Sequence, residues 1–388
     1  MVDSGTLFQL GSKGIFVALL AFVIVWSSKD PDKYRKLVWV TLFLTFDVIM
    51  FGAFTRLTDS GLGCPDWPGC YGHANPLQAM EHIRAAEALM PDGPVTVMKA
   101  WVEMIHRYLA MGIGVLIIAI VVIAWRFWLQ SGRTAHKFSP HFPVALLIFV
   151  CIQGAFGAWT VTMKLQPVIV TIHLLLGMTL LGMLTWVGAR QKEHPPVAPR
   201  AYALRIPALI ALVLLTFQIA LGGWVSTNYA ALACSDFPLC HGAVIPQMDF
   251  ENGFTLWRSL GMTADGEYLP FPALTAIHWT HRVFAFVVAG YIAWVCYKAY
   301  RIEGLRTIAR GVLAALALQI TIGIATVSLK WPLALAVAHN GCAALLVLLL
   351  VMLNYKARIP GAAGEKRGPD QVPNQLDPRL SAVPNDNA

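Results

Sequence analysis

Four of the eleven histidines in this chain lie inside long apolar segments, where an imidazole ring is unusual. They are His106, His173, His281 and His339, and each stands a few residues from one end of its segment. Ionisable groups in such surroundings are costly to bury and usually have a function. Imidazole is also a common metal ligand, so metal binding is the first chemistry that these residues indicate.

The sequence around these histidines occurs twice in the chain. EMIHRYLA begins at Glu103 and HWTHRVFA begins at His278, and both contain His-Arg. QGAFGAWTVTMK from Gln153 and QITIGIATVSLK from Gln319 share the pattern Gln-x3-Gly-x2-Thr-Val-x2-Lys, and a histidine follows each glutamine after twenty residues. The four histidines are therefore two matched pairs, one in each copy of an internal repeat.

Each pair, His106 with His173 and His281 with His339, comes from two different segments at a similar depth. Two facing histidines in a helical bundle are typical axial ligands of heme iron. Zinc prefers about four ligands, with cysteine or carboxylate nearby, and each copy offers two histidines at this depth. Copper binding and a simple proton relay stay open as alternatives.

An arginine, Arg107 or Arg282, directly follows the first histidine of each pair. A heme carries two propionate groups, and a guanidinium pairs bidentately with a carboxylate. The two arginines therefore favour heme over the other candidate ligands.

The two copies differ three residues before the first histidine, where one has Glu103 and the other has His278. Residues three apart share a helix face, so both side chains are expected beside the same ligand as their histidine. A carboxylate there can accept or deliver protons or stabilise a cationic intermediate, and a structural hydrogen bond is the alternative. We expect the first copy to be reactive and the second to transfer electrons. His278 is an alternative ligand in the second copy.

The elements that must position these residues are membrane-spanning helices. The chain has 388 residues, of which 57% are hydrophobic and 13% are charged, whereas soluble domains have about 25% charged residues. A span needs about 20 apolar residues. Eight such runs lie at about 37–55, 98–124, 142–162, 169–189, 206–226, 273–295, 308–328 and 333–353. A ninth run, about 6–26, is interrupted by polar residues and predicts an additional N-terminal helix.

The basic residues occupy alternate loops. Segments 27–36, 125–141, 189–205, 297–310 and the tail after 353 together hold 20 Lys and Arg, and the opposite set of loops holds seven. The positive-inside rule places the 20 in the cytoplasm, together with the C-terminus. The net charge of +8 is therefore a sign of membrane topology and not of nucleic-acid binding. Neither a cleavage site nor an Arg-rich transit peptide is evident at the N-terminus, which favours a bacterial inner membrane.

Two cysteine loops fall on the opposite, oxidising side of the membrane. CPDWPGC spans Cys64 to Cys70, and CSDFPLC spans Cys234 to Cys240. Disulfides persist in such compartments, and the proline in each loop helps to bend the chain. We expect one disulfide in each loop. Three further cysteines lie in helices and are interpreted as core residues: Cys151, Cys296 and Cys342.

The duplication predicts an all-α polytopic membrane protein with an eight-helix core of two tandem four-helix bundles in parallel repeat. The expected regions are an N-terminal helix with a basic loop (1–36), a first four-helix half (37–189), a cytoplasmic linker (190–205), a second half (206–353) and a disordered cytoplasmic tail (354–388).

Several of these motifs together resemble the heme A synthase family. They are GLGCPDWPGC from Gly61, EMIHR from Glu103, TIHLLLG from Thr171 and the His-Arg at His281, and the likeness covers residues 37–353. The resemblance implies an inner-membrane oxidoreductase that acts on a CH group. It would convert the C8 methyl of heme O to the formyl of heme A, for cytochrome oxidase. A methyl group on a conjugated macrocycle can lose electrons and a proton through the ring, and water can then supply the oxygen.

The resemblance also implies a role for each half. His281 and His339, with Arg282, would hold heme b, while His106, His173 and Arg107 would bind the heme O substrate. Glu103 would be the catalytic carboxylate. Heme O synthase, assembly factors of cytochrome oxidase and an unidentified electron acceptor are the implied partners. The additional N-terminal helix, the second cysteine pair and His278 depart from the family pattern.

Two other functions fit the histidine pairs. One is a two-heme b-type electron carrier or quinol-reactive cytochrome, which needs no reactive carboxylate. The other is a heme-transport module. The carboxylate at Glu103, which the second copy lacks, favours the enzyme.

Overall fold

The computed structural model describes residues 4–358, and all the helices and turns reported below lie within that range. Nine helices in this part of the chain are long and apolar enough to cross a bilayer. They coincide with the eight predicted spans and with the additional N-terminal one. The prediction of an all-α polytopic membrane protein is therefore confirmed.

Eleven α-helices are present among the described residues. In chain order they are α1 (Ser4–Ser27), α2 (Lys33–Leu57), α3 (Met80–Leu89), α4 (Val97–Gln130), α5 (His141–Thr162), α6 (Pro167–Arg190), α7 (Arg205–Thr227), α8 (Phe250–Phe254), α9 (Phe271–Tyr300), α10 (Arg306–Ser328) and α11 (Leu333–Arg358). The short helices α3 and α8 lie in the two long loops and were not predicted. Helix α11 continues five residues past the predicted end at 353, so the expected disordered tail is wrong for 354–358. The rest of that tail lies outside the described residues.

The eight core helices form two closed rings of four. In the first ring the order of neighbours is α2, α4, α5 and α6, and α6 packs back against α2. The second ring repeats this arrangement with α7, α9, α10 and α11. The first and third helices along the ring path are therefore diagonal partners, and so are the second and fourth. Each histidine pair comes from the second and fourth helices of its ring.

The two rings meet through α2 and α6 of the first and α7 and α11 of the second. Close approach is visible at Gly341, where an added Cβ would lie 2.1 Å from the sulfur of Met50. Small residues at helix crossings are typical of membrane proteins, because association there depends on close van der Waals packing. The two halves thus share one continuous buried core.

At one end of this interface, residues at equivalent positions of the two halves contact each other. The Arg56 guanidinium donates to the carbonyl oxygen of Ser226 at 2.7 Å, and the Tyr229 hydroxyl lies 2.7 Å from Asp59 Oδ1. Both contacts join positions 170 residues apart in sequence, which is the spacing between the two cysteine loops. The contacts therefore mark the local two-fold relation between the halves.

Helix α1 packs on the outside of the first ring, mainly along α4. Gly14 of α1 lies against Met111, and Gly112 of α4 lies against Val17, so the two backbones approach closely. Other faces carry exposed large apolar side chains, among them Phe8, Phe43 and Phe286. In water such a surface would drive association, whereas in a bilayer it contacts lipid.

Candidate heme sites

Both cysteine loops lie at the same end of the bundle, which is here named the disulfide face. The loop of the first half follows α2, and the loop of the second half follows α7. The cysteines are bonded as predicted, Cys64 to Cys70 and Cys234 to Cys240. The four histidines lie in the part of α4, α6, α9 and α11 nearest this face.

Each histidine ring packs against a glycine of a neighbouring helix. A Cβ added to the glycine would lie 2.9–3.1 Å from the Cε1 atom of the ring. The four pairs are Gly52 with His106, Gly157 with His173, Gly222 with His281, and Gly323 with His339. A methyl group at any of these glycines would press on the ring. The glycines therefore allow each imidazole to lie flat along a helix backbone, inside the ring of helices.

The two histidines of each half face the same interior. His106 and His173 lie against glycines of α2 and α5, and His281 and His339 lie against glycines of α7 and α10. Helices α4 and α6 lie diagonally across the first four-helix bundle, and α9 and α11 lie diagonally across the second. The two imidazoles of each half therefore project into the bundle from opposite sides. This arrangement places one pair of imidazole rings inside each half. Their role as iron ligands stays a prediction.

Glutamines one turn before the glycines contact the rings of the second half. Gln218 Nε2 lies 3.0 Å from His281 Nδ1, and Gln319 Nε2 lies 3.1 Å from His339 Nε2. These pairings leave the other nitrogen of each ring for a ligand. The Nδ1 atoms of His106, His173 and His339 are buried and have no hydrogen-bond partner among residues 4–358.

These features fit a heme. The glycines let both rings lie inside the bundle, and an iron between two imidazoles would bind one nitrogen of each ring. Within the described residues no three His, Cys, Asp or Glu side chains are grouped to hold one ion. Zinc needs about four such ligands, so the zinc alternative is not favoured.

Glu103 lies beside this site and is 3% exposed. Its Oε2 accepts a hydrogen bond from the backbone N–H of Cys64 at 2.8 Å. Its Oε1 forms an ion pair with Arg107, one turn further along α4. The carboxylate thus ties the first cysteine loop to α4, next to His106.

His278 occupies the same place in the second half. Its Nδ1 accepts from the backbone N–H of Cys234 at 3.2 Å, and Arg282 Nε lies 3.1 Å from its Nε2. Both ring nitrogens therefore have protein partners. This placement does not favour His278 as an alternative metal ligand and explains its presence as a loop anchor.

The arginines after the first histidine of each pair hold the cysteine loops. Arg107 Nη1 donates to the carbonyl oxygens of Asp66, Pro68 and Gly69 at 2.6–3.2 Å. Arg282 donates in the same way to carbonyl oxygens of the second loop, namely those of Cys234, Asp236 and Leu239. Sequence reasoning missed this contact, because backbone carbonyls leave no pattern in a sequence. Binding of heme propionates by these arginines stays a prediction.

The aspartate of each Cys-x-Asp-aromatic-Pro-x-Cys loop closes the loop on itself. Asp236 accepts from the backbone N–H groups of His241 and Gly242 at 2.7 and 2.9 Å, and Asp66 does the same with Tyr71 and Gly72. The hydrogen bond from Gly242, followed by that from His241, holds the pKa of the Asp236 carboxyl below its usual value. The recurrence of aspartate in both loops thus has a structural reason.

The fold and its sites define a class of protein: a duplicated helical membrane protein with one buried histidine pair in each half. Residues 35–351 match the family described as cytochrome oxidase assembly protein. The chain belongs to this family.

Relatives in several bacteria bear the name heme A synthase. The protein of Shewanella oneidensis is 39% identical over 325 residues, which are 82% of this chain and 96% of the relative. The relative in Rhodopseudomonas palustris is 27% identical over 382 residues, covering 91% of this chain and 94% of its own. The one in Sinorhizobium medicae is 28% identical over 351 residues, or 85% and 91% of the two chains. The resemblance to the heme A synthase family is confirmed.

Proposed function

We propose that this chain is a heme A synthase, which oxidises the C8 methyl group of heme O to the formyl group of heme A. The observation that carries this proposal is the asymmetry at equivalent positions of the two halves. Each half has a buried histidine pair, and the carboxylate of Glu103 stands beside the first pair alone, where the second half has His278. The names of the relatives support the same function.

The first half is the proposed substrate site. His106 and His173 bind the iron of heme O from opposite walls of the ring of helices and fix the macrocycle relative to Glu103. The cysteine loop, held by Arg107 and Glu103, lies at the end of this site nearest the disulfide face. That loop limits the access of bulk water to the methyl group.

The second half is the proposed heme b site, with His281 and His339 as the residues that would hold it. A bound heme b supplies a one-electron acceptor near the substrate. Arg282 forms no ion pair within residues 4–358, where its partners are carbonyl oxygens and His278. Its charge is therefore not neutralised by a carboxylate of this part of the chain, whereas that of Arg107 is paired with Glu103.

The conversion of a methyl to a formyl group with water releases four electrons and four protons. Protons must leave a site that is buried in apolar surroundings, and Glu103 is the buried carboxylate beside His106. We assign to Glu103 the acceptance of protons or the stabilisation of positive charge at the methyl carbon. An electron acceptor outside this chain must take up the electrons.

We place the protein in a bacterial inner membrane with both cysteine loops in the periplasm and the C-terminus in the cytoplasm. The charge distribution of the loops supports this orientation. Heme O synthase and assembly factors of cytochrome oxidase are the partners that would deliver the substrate and receive the product.

The test is the identity of the hemes in membranes that contain this chain and a source of heme O. Hemes are extracted and identified by mass, with a host that makes no heme A of its own. We expect heme A to form only when this chain is present. Unchanged heme O, with a b-type spectrum in the purified protein, would instead indicate an electron carrier.

A further inference from the structure

The four glycines that contact the histidine rings have a second feature in common. In three of the four helices a glutamine stands one turn before the glycine: Gln153 before Gly157, Gln218 before Gly222, and Gln319 before Gly323. Residues four apart lie on the same helix face, so these glutamines line the same side as the glycines. The fourth helix, α2, has Val48 in this position, one turn before Gly52.

The structure shows what the glutamines do in the second half. Gln218 and Gln319 each place a side-chain amide within 3.1 Å of a ring nitrogen of the paired histidine. A histidine that binds a metal almost always uses its other ring nitrogen in a hydrogen bond, which fixes the ring and strengthens the ligand. An amide can serve as donor or acceptor, so His281 has such support at Nδ1. Gln319 instead contacts the Nε2 of His339, and the Nδ1 of that ring has no partner among the described residues.

This support at Nδ1 is absent at His106, the counterpart of His281 in the first half. The side chain of Val48 has no polar atom, and the Nδ1 of His106 is buried without a partner among the described residues. Gln153 is present, but its side chain is directed towards Gly177, one turn beyond His173. Its amide nitrogen lies 3.4 Å from the position that a Cβ added to Gly177 would occupy. The Nδ1 of His173 has no partner within residues 4–358, and the same is true of His339, its counterpart in the second half.

We propose that Gln218 and Val48, which occupy equivalent positions of the two halves, determine which heme is retained and which is released. Gln218 is a positioning residue that makes the second half a retaining site, because its amide holds the Nδ1 of His281. Val48, in the place of a glutamine, leaves His106 as the least constrained of the four ligands, so that a heme can be released on the His106 side of the first half. This inference rests on the proposed function, in which the first half must bind a substrate and let go of a product.

The experiment exchanges the two side chains between the halves. Gln218→Met keeps the length of the side chain and removes the amide, and Val48→Gln adds an amide to the first half. Thr216→Val is the matched control, because Thr216 lies on the same helix as Gln218 and is exposed on the lipid side. Each variant is purified as the full chain. Its heme content, its midpoint potential and the rate of heme transfer to apomyoglobin are then measured.

We expect heme b to leave Gln218→Met about 10- to 100-fold faster than it leaves the wild type, the usual effect of losing such a partner. The midpoint potential should also shift, because the hydrogen-bond partner of a ligand's second ring nitrogen tunes the metal. A merely structural role for Gln218 would not shift the potential. Thr216→Val should match the wild type in both measurements.

For Val48→Gln we expect heme O or heme A to co-purify in the first half in larger amount and to be released more slowly. Equal heme retention and equal potential in Gln218→Met and wild type would overturn the inference, and so would unchanged first-half occupancy in a folded Val48→Gln protein. If Val48→Gln does not fold, Gln218→Met decides alone. A wild-type protein that holds heme b and never forms heme A would overturn the proposed function. The heme retention of the variants could still be compared with that of the wild type.

Discussion

Glu103 and His278 are equivalent residues that anchor the two cysteine loops in the same way. Each accepts a hydrogen bond from the backbone N–H of the first cysteine of its loop, at 2.8 Å for Glu103 and 3.2 Å for His278. Each also contacts the arginine one turn along its helix. The anchoring role therefore does not require a carboxylate, because an imidazole performs it in the second half. The presence of a carboxylate in the first half needs a further reason, and the chemistry of the substrate supplies one.

Replacement of Glu103 by glutamine tests that reason. In Glu103→Gln the side-chain oxygen can still accept from Cys64, and His106 and His173 still bind the iron, so binding of heme O should persist. Turnover should fall by a factor of about 100 or more if the carboxylate handles protons. The amount of bound heme and the amount of product are measured in the same preparation.

His278→Gln is the matched control, because it changes the equivalent anchor in the half without a reactive methyl group. It should lower the stability of the second cysteine loop and leave the formation of heme A within a few-fold of normal. If both variants lost activity to the same extent, loop anchoring alone would account for Glu103. Full activity of Glu103→Gln would exclude a catalytic role.

Alanine variants of the four histidines separate the two halves. His281→Ala and His339→Ala should each remove the b-type spectrum, because the second half then keeps one ligand. His106→Ala and His173→Ala should keep that spectrum and yield no heme A. Spectra of the reduced and oxidised purified proteins, with heme extraction, provide the measurement. Loss of the resident heme in His106→Ala but not in His281→Ala would reverse the assignment of the halves.

The glycines beneath the histidines provide a test of the site that leaves every ligand in place. In Gly222→Ala the new methyl group would lie 3.1 Å from His281 Cε1, so the ring must shift and heme b occupancy should fall. Gly290→Ala is the control, since a Cβ there meets nothing within 4 Å and lies on the same helix as His281. Alanine favours a helix over glycine by about 1 kcal/mol, so the control should be at least as stable as the wild type. Equal heme occupancy in the two variants would contradict a close ring contact at Gly222.

The sequence predicted the spans and the pairing of the histidines because both depend on patterns along the chain. Long apolar runs determine where helices cross a membrane, and the repeat showed which histidines correspond. The shared Gln-x3-Gly pattern was visible too, but its meaning was not, since the contact between Gly157 and His173 joins two helices. Helix α3 was missed because ten residues in a loop of mixed polarity give a weak periodic signal. The hydrogen bonds from Arg107 to the carbonyl oxygens of the first cysteine loop depend on the folded path of that loop, which the amino-acid sequence alone does not reveal.

The last prediction concerns the disulfides on the disulfide face. Closing a loop of so few residues gains about 2 kcal/mol of stability through the entropy of the unfolded chain. The loop from Cys64 to Cys70 is also held by Arg107, by Glu103 and by the hydrogen bonds of Asp66. Cys64→Ala should therefore lower the temperature of heme loss and weaken activity, while the protein still folds and carries heme b.

Arg107→Ala provides the comparison for the disulfide, because it removes three donated hydrogen bonds from the same loop and leaves the disulfide intact. We expect it to reduce activity more than Cys64→Ala does, since it also releases the ion pair of Glu103. Thermal melts followed by heme absorbance and the yield of heme A are the two measurements. Four free thiols from these loops in protein purified without reductant would show that the disulfides are not formed, and unfolding of Cys64→Ala at ordinary temperature would show that the other anchors do not hold the loop.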